Sequence, residues 1–125
     1  MQLRVSQLAV VGFLALLAPA VFAQELFGSI AYSEKDRQYG WANNYPTRAA
    51  AEKAAVDSCR RSGKDCRSVL WFRNGCGALV TGPDGHGAGW AATEPGAVNN
   101  ALKACAAKSG ACALTRSFCT GKEPG

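Results

Sequence analysis

The chain has one histidine, no Cys-x-x-Cys pair, no Gly-x-Ser-x-Gly turn and no Gly-Lys-Ser/Thr loop. Each absence removes a class of chemistry. Without an elbow serine, His86 and Asp84 do not complete a hydrolase triad. One histidine among exported cysteines gives no ligand set of zinc-type spacing. Residues 82–87, rich in glycine, do not run straight into a helix, so no dipole stands behind their amides for a phosphate. They read instead as a hairpin loop with His86 as a solvated turn residue. No free thiolate beside a base is evident, so the cysteines read as structural and not catalytic. No cofactor, no metal and no enzymatic activity are expected. Charge of one sign is also scarce: the formal net charge is +5, one unit of it from Arg4. That is ordinary solubility charge for a small domain, and too little for extensive nucleic-acid contact. Long apolar runs are missing too. The run at residues 8–17 is too short to cross a bilayer, and none after Gln24 is longer, so stable membrane insertion is not expected.

The N-terminus has the pattern of a secretory signal peptide: Arg4, the apolar run, then Val21-Phe22-Ala23 as a small-residue cleavage site. Cleavage is expected after Ala23, with Ala20 as the alternative. No cysteine follows the apolar run, so a lipid anchor is not indicated. Residues 24–125 then suit a single domain. All six cysteines (Cys59, Cys66, Cys76, Cys105, Cys112, Cys119) lie in it. An even count in a small exported domain reads as three disulfides, with 15 possible pairings. The expected location is the periplasm or the medium.

What is present is repetition. Gly28, Gly40, Trp41 and Ala42 recur 49 residues on as Gly77, Gly89, Trp90 and Ala91, and Cys59 and Cys66 recur 46 residues on as Cys105 and Cys112. Two copies of one supersecondary unit follow, at about 27–73 and 76–119. In each, two short β-leaning stretches flank a loop. An Ala-rich helix follows, with Thr47 or Thr93 as N-cap and Gly63 or Gly110 closing it. A final strand completes the unit. Asn43-Asn44-Tyr45-Pro46 reads as a turn. Asn74-Gly75 suits a two-residue type I′ turn, which would make residues 67–73 the neighbour of residues 76–81. The fold expected is α+β: two ββαβ repeats in a mainly antiparallel sheet, two helices packed on it, and disulfide staples. Placement favours Cys59–Cys66 and Cys105–Cys112, leaving Cys76 and Cys119. That last bond conflicts with the Asn74-Gly75 hairpin unless the sheet is strongly curled, so strand order and connectivity stay open.

The ordered motifs Gly-Ser-Ile-Ala-Tyr-Ser (28–33), Tyr-Gly-Trp-Ala-Asn-Asn-Tyr-Pro (39–46), Arg-Ala-Ala-Ala-Glu (48–52), Val-Leu-Trp-Phe-Arg-Asn-Gly-Cys-Gly-Ala-Leu (69–79) and Gly-Ala-Gly-Trp-Ala (87–91) carry a resemblance. The chain resembles the secreted bacterial domain of unknown function 4189 over nearly all of residues 24–125. The resemblance implies an exported bacterial protein and implies no reaction.

Two surface features point to binding. Tyr39, Trp41, Tyr45, Trp71, Phe72 and Trp90 suggest a platform for stacking carbohydrate or peptide. Trp41 and Trp90, at matched positions of the repeat, are expected in equivalent core roles. Trp71 and Phe72 alternate in direction on one strand, so one of them is expected outside. Arg60, Arg61, Lys64 and Arg67 form a basic cluster, also explicable as cations at a helix C-terminus. The binding surface expected is therefore Tyr39, Tyr45, Trp71, Phe72, Arg60, Arg61, Lys64 and Arg67. The function expected is non-catalytic binding of another envelope or secreted protein. Alternatives are a periplasmic inhibitor or immunity protein against a toxic enzyme, and a hydrolase using carboxylates such as Asp84 and Glu94.

Overall fold

The computed structural model describes residues 24–122; the signal peptide expected over residues 1–23 lies outside the described residues. Two ββαβ units follow one another. The first is β1 (Phe27–Ser33), β2 (Gln38–Tyr45), α1 (Arg48–Arg60) and β3 (Arg67–Arg73). The second is β4 (Cys76–Gly82), β5 (Gly85–Ala91), α2 (Glu94–Ala106) and β6 (Ala113–Cys119). Each unit closes its own antiparallel sheet, in the orders β2-β1-β3 and β5-β4-β6.

Side-chain alternation sets the layers. One face of the first sheet packs Ala31 and Ala42 on Ala55 and Cys59 of α1. One face of the second packs Ala78 and Val80 on Ala97, Ala101 and Cys105 of α2. The remaining faces meet each other through Ile30, Tyr32, Phe72, Leu79 and Phe118. The order is helix, sheet, sheet, helix. Alanine and glycine on the helix-facing sides let the helices sit close. A Cβ on Gly40 would stand 2.2 Å from the Cys59 amide nitrogen, and one on Gly87 would stand 2.2 Å from that of Cys105.

The hairpin expected at Asn74-Gly75 does not form. β3 pairs with β1, and β4 pairs with β5 and β6. A type I′ turn needs positive φ at both central residues, whereas only Asn74 takes it, with φ 48°. The dipeptide is a connector between sheets. Its side chain instead accepts from the Leu26 amide at 2.9 Å while its own amide donates to the Leu26 carbonyl at 2.9 Å. With β3 elsewhere, the flank of β4 is free for β6. Cys76 and Cys119 are then direct cross-strand neighbours, 4.0 Å apart at Cα, and are bonded. Cys59–Cys66 and Cys105–Cys112 close the two helix–strand junctions. No free cysteine is found among the described residues.

Helix starts follow the sequence. Thr47 Oγ1 accepts from the Ala50 amide at 3.2 Å and Thr93 Oγ1 from the Gly96 amide at 3.3 Å. The ends do not. The C-caps are Arg61 and Ala107 in right-handed conformation, and the left-handed residues are Asp65 and Ala111, inside the short disulfide loops. Gly63 owes its place to space, since a Cβ there would meet Gln38 at 2.8 Å. The stretch 43–45, expected as a turn, continues β2, with an irregularity in the ladder opposite residues 27–29 and Asn44 at φ 65°.

The two units share one plan, but not in the register that the repeated letters suggest. Ile30 lies opposite Trp41 and Leu79 opposite Ala88; Ala31 lies opposite Gly40 and Val80 opposite Gly87. Gly40 and Gly87 also make the same approach to their helices, to the residue pairs Ala55/Cys59 and Ala101/Cys105. The counterpart of Gly40 is therefore Gly87, and that of Trp41 is Ala88. Trp90 corresponds to Asn43. The slip arises because β1 and β2 are joined by residues 34–37, whereas β4 and β5 are joined by residues 83 and 84 alone.

Candidate functional site

That slip opens a groove. On one side of the molecule, Trp41 packs on Phe118 with ring centroids 4.8 Å apart, and the Arg116 guanidinium lies 3.9 Å from the Trp41 ring centre. On the other side the place of Trp41 is taken by Ala88. A cavity of about 520 Å³ remains there, lined by Val69, Leu70, Trp71, Phe72, Arg73 and Trp90. Trp71 is 40% exposed and Trp90 is 58% exposed.

Trp71 is held in place from the helix side of its sheet. The Arg48 guanidinium lies 4.4 Å over the ring, and Phe27 packs at 6.3 Å. Arg48 is itself fixed by Glu52 Oε1, to which its Nε donates at 2.9 Å. Glu52 Oε2 accepts from Ser68 Oγ at 2.6 Å. Burial pushes the Glu52 carboxyl up, but the Ser68 and Arg48 hydrogen bonds and the Arg48 charge outweigh it and hold the group below the usual glutamate range. Trp90 leaves the opposite sheet beside Gly77, on the face that looks toward Phe72. Asn100 of α2 donates to its carbonyl at 2.9 Å. The indoles thus flank the groove from two different sheets.

The expected surface divides. Trp71 lines the groove. Phe72 does not belong to the surface: it is 2% exposed and forms the floor, because alternation that turns Trp71 outward turns Phe72 into the central core. Tyr39 and Tyr45 lie on β2, across β1 from the groove, and are half-buried against the central core and the α1 layer respectively. Arg60, Arg61, Lys64 and Arg67 are exposed near the Cys59–Cys66 bond. Acids interleave with them. The Lys64 amide donates to Asp36 Oδ2 at 2.6 Å, and Asp65 pairs with Lys35 at 3.9 Å. Asp57 is held below the usual aspartate range, first by the Lys53 hydrogen bond and further by Arg60 and Arg61. The cluster is a mixed surface. Arg48 is the site residue that sequence reasoning missed, and Trp90, named in the aromatic platform but expected in a core role, is instead exposed at the groove. Trp90 was masked by its apparent match to Trp41: the letters repeat at one offset of 49 residues on both sides of the loop, and only the strand pairing reveals the slip.

His86 is not the solvated turn residue expected. It lies on β5, 7% exposed, with Nδ1 2.6 Å from Glu34 Oε1 and its ring 5.0 Å from Tyr32. The glycines around it belong to a strand, where Gly87 admits α2. A small cavity of about 140 Å³ lies alongside, lined by Tyr32, Glu34, Arg37, Pro83, Asp84 and Gly85. Burial pushes the Tyr32 hydroxyl above its ordinary range, with Arg37 opposing and Glu34 adding. Arg37 Nη1 donates to the Gly82 carbonyl at 2.9 Å. Both contacts join the first unit to the second. His86→Ala should therefore lower stability by about 1–3 kcal/mol, through the lost Tyr32 packing and the charge-assisted bond to Glu34. Urea denaturation reads this out, and an unchanged midpoint contradicts the structural role.

A model of the family described as "Domain of unknown function (DUF4189)" matches residues 27–119. "Protein Rv1269c" of Mycobacterium tuberculosis and "Protein Mb1300c" of Mycobacterium bovis are each 40% identical over 80 residues, covering 64% of this chain and 61% of theirs. The chain thus spans about three fifths of the length of the curated relatives it matches. The NMR structure of Rv1813c from Mycobacterium tuberculosis shares the fold, with a TM-score of 0.56 at 23% identity over 82% of this chain and 80% of that one. With a family model matched from the first strand through the last, this chain belongs to the DUF4189 family.

Proposed function

We propose that the chain is an exported, disulfide-bonded binding domain that works without catalysis and engages another envelope or secreted protein through the groove between Trp71 and Trp90. The observation that carries the reading is the pair of exposed indoles on either side of an apolar-floored cavity of about 520 Å³. Large exposed aromatics in a concave setting are the residue type most enriched at energetic centres of interfaces. Three disulfides, together with the absence of any helix long and apolar enough to span a membrane among the described residues, accord with work in an oxidising compartment. An inhibitor or immunity protein is the same reading with an enzyme as partner.

The test is crosslinking capture from an envelope extract, with the chain from Gln24 onward as bait and the Trp71→Ala, Trp90→Ala double variant beside it. Trp90 is mostly exposed and Trp71 stands at the rim, 40% exposed, so the variant should stay folded with its melting temperature lowered only modestly. It should lose roughly 30-fold or more in affinity for whatever protein the wild type captures, as expected when an aromatic centre worth about 2 kcal/mol is removed. Equal capture by bait and variant would remove the groove from consideration.

A further inference from the structure

Resting on that reading, we propose that the groove takes an extended peptide segment, apolar at its centre and acidic at its flanks, which adds to the first sheet as a fourth strand along β3.

The lining points to the mode. Five consecutive residues, 69–73, border the cavity. Consecutive residues on a strand face opposite sides, so a space bordered by all five meets β3 from its flank and not from either face. The other flank of β3 is paired with β1. The open flank of an edge strand presents a row of main-chain donors and acceptors, the template that strand addition uses.

The four sheet edges are not alike. The corresponding edge strand of the second unit, β6, is approached by side chains of β2: Asn43 Nδ2 donates to the Cys119 carbonyl at 2.9 Å, and Trp41 packs on Phe118. At β3 the counterparts of Asn43 and Trp41 are Trp90 and Ala88. Neither reproduces that cover. One is an indole standing 58% exposed and the other a single methyl group. The first unit also leaves Trp71 on the helix side of β3, while Trp90 reaches in from the other sheet. An added strand would send alternate side chains toward one indole and then the other, which selects apolar or aromatic residues at both kinds of position.

Charge selects the flanks. Arg67 and Arg73 occupy the two ends of β3, and Arg48 covers Trp71. Among the described residues, Arg73 pairs with Glu25 at 3.4 Å, both side chains being exposed, so a partner carboxylate can compete for it. Residues 69–73 extend about 16 Å at the usual strand rise, enough for a matching five-residue segment.

The experiment is a selection. A randomised heptapeptide library with acidic ends is displayed against the oxidised chain from Gln24, and the selected peptides are resynthesised with N-methyl groups at alternate main-chain nitrogens. Binders are expected to be acidic-ended with apolar centres. They should slow amide exchange in residues 67–73 and lose roughly ten-fold or more in affinity when methylated in one phase of the alternation but not in the other. They should also weaken on Trp71→Ala, Trp90→Ala protein. Binders indifferent to methylation in both phases, or protection confined to other strands, overturn strand addition. So does a library that yields no indole-dependent binder. Indole-dependent capture of a glycan or of a folded protein surface by the same bait would then leave groove binding standing without strand addition. Absence of any indole-dependent capture would remove both.

Discussion

Phe72→Ala is expected to lower the free energy of unfolding by about 3–5 kcal/mol, the usual cost of deleting a large core ring. The ring lies between the two sheets, 5.3 Å from that of Phe118. It fills the space left by two glycines: a Cβ on Gly28 would stand 2.3 Å from it, and so would one on Gly77. These glycines belong to different units, so the ring locks both together. Little near it can collapse into the void, because the surrounding residues are strand-borne and already in contact with the opposite sheet. A domain of this size has roughly 5–15 kcal/mol in all, so the variant should unfold at a melting temperature well below that of the wild type, at which the wild type is still folded. Trp71→Ala, one residue away and 40% exposed, should shift the urea midpoint far less. Similar midpoints for the two variants would contradict the assignment of one as floor and the other as rim.

This contrast marks where the sequence was legible. Alternation required one of Trp71 and Phe72 to face outward, and helix starts at Thr47 and Thr93 followed from hydroxyl capping. Cysteine placement anticipated the two short bridges. Sheet partition was not legible, because Asn74-Gly75 is the strongest local hairpin signal and only the competing β1–β3 ladder overrides it. His86 was misread because Gly85 and Gly87 look like loop punctuation. Gly87 is in fact the point at which α2 touches the sheet, a fact that exists only in three dimensions. The groove was hidden for a related reason. Identical Gly-Trp-Ala strings in β2 and β5 invited a letter-for-letter match, while the helix contacts place the two tryptophans two residues out of step.

Replacing Cys76 and Cys119 together by serine should cost about 4 kcal/mol, whereas replacing Cys59 and Cys66 should cost about 2.5 kcal/mol. The difference follows from the chain enclosed: the first bridge spans a separation of 43 residues and the second only 7. Cross-linking distant residues removes more freedom from the unfolded chain. Cys76 and Cys119 also pin the two strands on which the second sheet depends, at positions where the first unit has Phe27 opposite Arg73. Denaturant titration of the two double variants, both without reductant, measures the gap. Equal losses, or a greater loss for the short bridge, would show that native packing and not loop closure governs these bonds.

None of the three bridges joins the first unit to the second. Cys59–Cys66 lies in the first, and Cys76–Cys119 and Cys105–Cys112 both lie in the second. Across the boundary the covalent path is the connector at Asn74-Gly75 alone, helped by packing and by contacts such as Glu34–His86 and Arg37–Gly82. Two chains whose connectors straighten can therefore exchange second halves and rebuild every native contact in an intertwined dimer, with all six cysteines oxidised throughout. Domain swapping of this kind needs no thiol chemistry, and its barrier is the separation of two sheets that Phe72 holds shut.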